Sequence, residues 1–244
     1  MAKSFQDMAR QYERNRYSFS DFLGLPEQDA FYQYLKSNPS LPYRLFGGKQ
    51  HCERLMLRIG SPETLGYEEP FPLVTLKIEP KNAKFSDDLS HRDILGALMH
   101  LGIERDTIGD IFLEGNTAYV FCTKAIAPFI EGQLERIKHT AVLVTQVTEL
   151  PALQEQEPVQ KKIQVASLRL DLLVAKTYNL SRQAAQDLLK AHKVFLDGRL
   201  QEGGSTEVQL GQIVSVRGFG RFSLLKEEGI SKKGKHNLLL AVFA

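Results

Sequence analysis

Residues 149–162, ELPALQEQEPVQKK, interrupt the apolar periodicity on either side of them with Gln, Glu and Pro. A chain broken in this way folds as more than one unit, and each side of the break must supply its own core. The 244 residues, 43% hydrophobic and 25% charged, are enough for two or three small domains. The break also divides the charge. Residues 161–244 carry 14 Lys and Arg against 7 Asp and Glu, while residues 1–160 carry 17 against 22, so the formal net charge of +2 conceals a basic carboxyl-terminal third. A basic end on an otherwise acidic chain fits a polyanionic partner, either nucleic acid or a membrane surface, or else an ordinary solvated face.

Several classes are excluded at this level. No stretch of eighteen or more apolar residues occurs, and the amino terminus, MAKSFQDMARQYERNR, has basic residues without an apolar h-region. Neither a membrane span nor a signal peptide is expected, which places the protein in the cytoplasm. Cys52 and Cys122 are far apart and lack the spacing of metal ligands, so they read as two reduced thiols. No metal and no cofactor are expected.

The expected architecture is α+β. Residues 1–70 read as a mostly helical amino-terminal domain, with Pro26 opening a helix that carries Phe31, Tyr34 and Leu35 toward a core. Gly47 and Gly48 mark a turn, and HCERLMLRIG is ambiguous between strand and helix end. Residues 71–150 read as PLVTLKIEP strand, SHRDILGALMHLG helix, GDIFLEG and TAYVFCT strands, IAPFIEGQLERI helix and TAVLVTQVT strand. That βαββαβ order is the order of a ferredoxin-like sheet with both helices on one face, the topology of RNA-recognition motifs. Tyr119 and Phe121 share a side of this sheet, either as stacking residues or as core, and core is the commoner fate. HRDIL at 91–95 has the letters of a kinase catalytic loop, but Leu98 stands where a metal-binding Asn is needed and no DFG accompanies it. Ser90 as cap, Asp93 at the third position and Gly102 as terminator explain the segment locally.

Residues 151–165 read as linker, 166–232 as a compact α-plus-β unit and 233–244 as a terminal strand or tail. Within that unit Ser181 caps a helix expected to run to about Lys193. At 100° per residue Arg182, Gln186, Lys190 and Lys193 fall at about 0°, 40°, 80° and 20°, a basic stripe opposite Ala184, Leu188 and Ala191. In SLRLDLLVAKTY, Arg169 and Lys176 are seven apart on one helical face. KVFLDGRL contains a strand entering an Asp197-Gly198 turn, and QIVSVRGFGRFSLL a strand pair bent at Gly218 and Gly220, bracketed by Arg217 and Arg221. The candidate surface is therefore Arg169, Ser181, Arg182, Gln186, Lys190, Lys193, Arg217 and Arg221, gathered into one cationic platform.

The stretch SLRLD…SRQAAQDLLKAHKVFLDGRL…VQLGQIVSVRG, Ser167 to about Lys232, resembles the S4 RNA-binding domain, with His192 standing where that family usually has glycine. Over its full length the chain resembles the bacterial YlmH-type proteins, in GGKQHCER at 47–54, FSDDLSHRDILGALMHLGIERDTIGDI at 85–111 and RGFGRFSL at 217–224. This resemblance implies an S4 domain attached to an RRM-like domain and a helical region. It also implies structured rRNA and tRNA as partners, on large ribosomal subunits that still hold an obstructed nascent chain. Arg169 and the Ser181-Arg182 pair are the residues it assigns to RNA contact.

Enzymatic readings fare poorly. RLD at 169–171 lacks the preceding glycine and following segment of a pseudouridine synthase, no glycine-rich loop suits a methyltransferase, and SKKGK at 231–235 is only a basic segment. A non-catalytic RNA-binding protein is expected, acting through guanidinium and ammonium contacts to phosphate. The alternatives are an adaptor that turns the same basic face to acidic proteins or membranes, or an accessory to RNA modification.

Overall fold

Helix α1 (Phe5–Glu13) starts at Ser4, whose hydroxyl oxygen accepts from the Asp7 N–H at 3.1 Å, and it buries Met8. Strand β1 (Ser18–Leu23), helix α2 (Leu25–Lys36), strands β2 (Tyr43–Phe46) and β3 (Leu55–Ile59) and the single turn α3 (Pro62–Leu65) follow. The structure, a computed structural model, describes residues 4–148 and 158–243. The amino-terminal segment is not mostly helical: it contains an antiparallel sheet in the order β1-β3-β2. The ambiguous HCERLMLRIG supplies its central strand. Leu57 and Ile59 pack with Met8 and Phe31 on one side, while Met56 packs with Phe22 and Phe121 on the other. A strand covered on both faces has no polar alternation to betray it.

Strand β4 (Leu73–Pro80), helix α4 (His91–His100), strands β5 (Ile108–Glu114) and β6 (Thr117–Thr123), helix α5 (Ala127–Gln133) and strands β7 (Arg136–Ile137) and β8 (Thr140–Val147) form the next layer. The sheet order is β5-β6-β4-β8-β7, antiparallel throughout. The stretch IAPFIEGQLERI is not one helix. It stops at Gln133, and Arg136 and Ile137 begin a hairpin with β8. Ser90 and Asp93 form a reciprocal capping pair, with the Ser90 N–H donating to Asp93 Oδ2 at 2.9 Å, and Gly102 reverses the chain at φ +77°. Ile94 and Leu98 of α4 and Ile130 of α5 pack on Leu76, Ile78, Ala118, Val120 and Cys122. The opposite face of this sheet is covered by the amino-terminal sheet, where Phe22, Cys52 and Met56 enclose Phe121. Residues 1–153 thus form one compact unit built on two sheets.

Residues 154–244 form the second unit. It comprises strand β9 (Val159–Val165), helices α6 (Leu170–Thr177) and α7 (Arg182–Lys190), and strands β10 (Val194–Leu196), β11 (Arg199–Leu200), β12 (Ile213–Val216), β13 (Gly220–Ile230) and β14 (His236–Phe243). The six strands lie in the order β11-β10-β12-β13-β14-β9. One expectation fails here. Residues 159–165 of the supposed linker are strand β9, paired residue for residue from Val159↔Val242 to Val165↔His236; residues 149–157 lie outside the described residues. Of the two readings of the terminal segment, strand or tail, the structure takes the strand, with β14 held between β13 and β9. Strand β9 escapes the sequence because Lys161, Lys162, Gln160 and Gln164 give it a polar surface, and only its partner supplies the reason to be a strand. Asp197 and Gly198, at φ +48° and +76°, make the tight turn between β10 and β11. Leu170, Leu173 and Val174 of α6 with Ala185 and Leu189 of α7 cover one face of the sheet.

Candidate nucleic-acid interface

Helices α6 and α7 meet over the carboxylate of Asp171. This residue is the second of α6, where negative charge suits the exposed N–H groups, and its side chain is 0% exposed. Its own N–H donates to the Gly204 carbonyl at 3.2 Å, and the neighbouring Leu170 N–H donates to Thr206 at 2.9 Å. The loop runs so close that a Cβ on Gly204 would stand 2.5 Å from that of Asp171. Arg169, the residue capping α6 in extended conformation, donates from Nε to Oδ1 at 3.1 Å and from Nη2 to Oδ2 at 3.2 Å. Arg182, the first residue of α7, donates from Nε to Oδ2 at 2.9 Å, and Gln186 Nε2 reaches the same oxygen at 3.3 Å.

Burial by itself raises the Asp171 carboxyl, but the hydrogen bonds from Arg169, Arg182 and Gln186 and the charge of Arg169 outweigh it and hold the group below its ordinary value. Two guanidiniums on one carboxylate leave a net positive charge. Their side chains stay 35% and 55% exposed, so the carboxylate anchors their inner edges while the heads face water. Arg182 is held through Nε alone; among the described residues its terminal nitrogens have no protein acceptor, and they are free to grip a phosphate in bidentate fashion.

The remaining candidates divide into those the fold brings to this surface and those it does not. Ser181 is exposed, but its hydroxyl oxygen accepts from the Ala184 N–H at 3.0 Å, so it caps α7 first of all. Lys190, exposed, continues the face of Arg182 and Gln186. Lys193 is not on the helix. The helix ends at Lys190, His192 takes φ +55°, and the N–H groups of His192 and Lys193 return to the carbonyls of Leu189 and Leu188, both at 3.0 Å. This is the paired closure that glycine usually makes, performed here by histidine. Lys193 is carried instead to the sheet, where its carbonyl accepts from the Arg217 N–H at 2.8 Å. Lys193 and Arg217, both exposed, therefore sit together at the far end of α7, a nine-residue helix about 14 Å long.

Arg221 does not join them. It alternates with Phe222, which faces the helices in the core, and so projects from the other side of the sheet, over the ring of paired Phe243 at 5.6 Å. Arg169, in turn, does not share a helical face with Lys176, because it precedes the first turn of α6. Asp171 is the site residue that sequence reasoning missed. The letters RLD carried the signal, since an acid in a stretch otherwise apolar on every side must be buried with a partner. Tyr178 was missed too: its ring lies 5.4 Å from Phe219 and 6.0 Å from Phe222, seating the glycine turn against the end of α6.

The amino-terminal unit places its distinctive residues differently. Phe121 is 1% exposed beneath the first sheet, and Gly48 lies so near that a Cβ would meet its ring at 2.3 Å. Tyr119 is buried as well. Arg54 of GGKQHCER and Asp110 of IERDTIGDI act as fasteners between the two sheets. Arg54 donates to the carbonyls of Ile108 at 2.9 Å and Phe22 at 2.8 Å, and Asp110 accepts from the N–H groups of Glu53 and Arg54 at 2.6 and 3.0 Å. Burial, with Arg54 close by, pushes Arg105 down to about 10. Among the described residues no group of His, Cys, Asp and Glu could hold a metal ion, and no helix is long and apolar enough to cross a membrane.

Residues 67–150 match the family described as a putative RNA-binding domain in YlmH. The chain is 29% identical over 245 residues to the ribosome-associated protein quality control protein P2 of Bacillus subtilis (strain 168), an alignment covering 96% of this chain and 92% of that one. Among solved structures, the cell division protein ylmH from Streptococcus pneumoniae superposes with a TM-score of 0.47 at 16% identity, over 62% of this chain and 88% of that one.

Proposed function

We propose that this YlmH-type RNA-binding protein associates with the ribosome by laying the Asp171-centred face of its carboxyl-terminal unit against structured RNA, without catalysing a reaction. The observation that carries the reading is the convergence of Arg169, Arg182 and Gln186 on one buried carboxylate, with Lys190 following on α7 and Lys193 and Arg217 beyond it. Fixed guanidiniums dock a phosphate backbone by shape and charge; a fixed fork loses less freedom on binding than a flexible one. The carboxyl-terminal unit is on this reading an S4 domain and residues 71–150 an RRM-like domain. The target on this reading is rRNA and tRNA on the large subunit, in the handling of stalled nascent chains; the support is that the Bacillus relative is a ribosome-associated protein quality control protein.

The RRM-like sheet contributes no stacking from Phe121, because that face is already occupied by the amino-terminal sheet. Little base specificity is expected, and affinity should fall by orders of magnitude between 50 and 200 mM salt if roughly four to six phosphates are neutralised. The test is cosedimentation with purified large subunits, alongside binding to deproteinised rRNA, tRNA and anionic vesicles. Arg182→Ala should weaken RNA binding about tenfold with little loss of folding, the range expected for one charged hydrogen-bonding group. Equal binding to vesicles and RNA would favour the adaptor reading instead, and unchanged cosedimentation of Arg182→Ala would sink the assignment of this face.

A further inference from the structure

The hairpin joining β13 to β14 ends in a turn that none of the residues above uses. Ser231 closes it: its N–H donates to the Lys235 carbonyl at 2.8 Å, its carbonyl accepts from Gly234 at 2.9 Å, and its hydroxyl oxygen accepts from the Lys235 N–H at 3.0 Å. Gly234 at φ +73° completes a three-residue loop with a bulge, a geometry that holds Lys232 and Lys233 at the apex. Lys232, Lys233 and Lys235 are all exposed. The acids of the hairpin stand lower down and are occupied, Glu228 with Lys162 at 3.0 Å and Glu227 with His236 at 2.6 Å. Among the described residues none of the three lysines at the tip meets a carboxylate. Three ammonium groups therefore share one rigid turn with no counter-charge of their own.

The tip also lies at the end of the sheet from which the chain enters the Arg169 cluster. His236, just past the turn, pairs with Val165, and Arg169 follows four residues later, so the two Cα atoms of Val165 and Arg169 are at most about 14 Å apart. Arg217 lies just before the opposite end of β13, whose first and last residues, Gly220 and Ile230, are ten positions apart along a strand rising about 3.3 Å per residue. The cations thus run from the Lys193–Arg217 pair along α7 to Arg182 and Arg169, and the hairpin tip lies at the end of the sheet from which the chain leads to Arg169.

We propose that the Ser231–Lys235 turn is a second phosphate-binding element that engages the same RNA beyond Arg169, extending the footprint of the face described under the proposed function, on which this inference rests. Lysines serve such a contact as hydrated point charges without base readout, which suits a tip that must meet a backbone of irregular course. The experiment compares the full-length chain, Arg182→Ala and the triple variant Lys232→Gln, Lys233→Gln, Lys235→Gln for binding to deproteinised large-subunit rRNA as salt is varied. Loss of three phosphate contacts should lower the slope of log affinity against log salt by about 2. The affinity of the triple variant should fall at least tenfold at low salt, while its thermal unfolding stays that of the parent.

A parental slope in the triple variant, with Arg182→Ala still weakened, overturns the hairpin contact and leaves the α6–α7 face standing. No salt-dependent binding by the parent overturns both. Loss of binding to anionic vesicles but not to rRNA also overturns it, by assigning the tip to lipid headgroups.

Discussion

Asp171 decides more at the scale of single residues than any of the cations it holds. A buried carboxylate bonded to two guanidiniums is a point that cannot lose its charge without cost, and removing it frees both arginines. Asp171→Asn should destabilise the carboxyl-terminal unit by about 2 kcal/mol, a figure kept low because Arg169 and Arg182 are partly in water. It should also weaken RNA binding although the protein becomes more positive; stronger binding would mean that net charge rather than placement governs the face. The pH dependence follows from the same group. Its folded pKa lies below the unfolded one, so its contribution to stability is complete above the ordinary carboxylate range, near pH 4, and is lost as pH falls through the depressed value. Thermal unfolding of the parent and of Asp171→Asn should converge on acidification; a constant gap down to the acid limit counts against the ion cluster. Phe121 offers the contrast. Enclosed by Phe22, Cys52 and Met56, it is core, and Phe121→Ala should cost about 3–5 kcal/mol in the unfolding of the amino-terminal unit.

Among the elements, helix α7 shows how closely a terminus controls a functional surface. Its stripe of Arg182, Gln186 and Lys190 could be read from spacing, as could its Ser181 cap. Its end could not, because the spacing contains no mark of where the 3.6-residue period stops. With histidine left-handed at position 192, the chain turns before Lys193 and delivers that lysine to Arg217. Relieving the left-handed strain, His192→Gly should stabilise the unit by up to about 1 kcal/mol and leave RNA affinity unchanged, as equilibrium unfolding and binding would check. Helix α4 was legible for the opposite reason. Ser90 and Asp93 satisfy each other's backbone groups within four residues, a local device that sequence displays in full.

For the whole molecule, each of the two units carries its own closed core, one of them shared between the amino-terminal and central sheets. Because Phe121 is core and Arg182 belongs to the proposed face, Phe121→Ala, at a temperature where it remains folded, should bind rRNA as the parent does, whereas Arg182→Ala should not. The basic carboxyl-terminal third, the αα pair and, apart from the short β7, the order of strands and helices between 73 and 147 were determined by the sequence, since charge, apolar period, caps and turn glycines act over a few residues. Only the tertiary structure decided that 159–165 is a strand, that 236–243 is a strand rather than a tail, that Phe121 lies under a second sheet, that Arg221 faces away, and that Asp171 ties Arg169 to Arg182. Those outcomes depend on partners distant along the chain, where pairing and burial are settled by which surfaces meet rather than by any periodicity a segment carries alone.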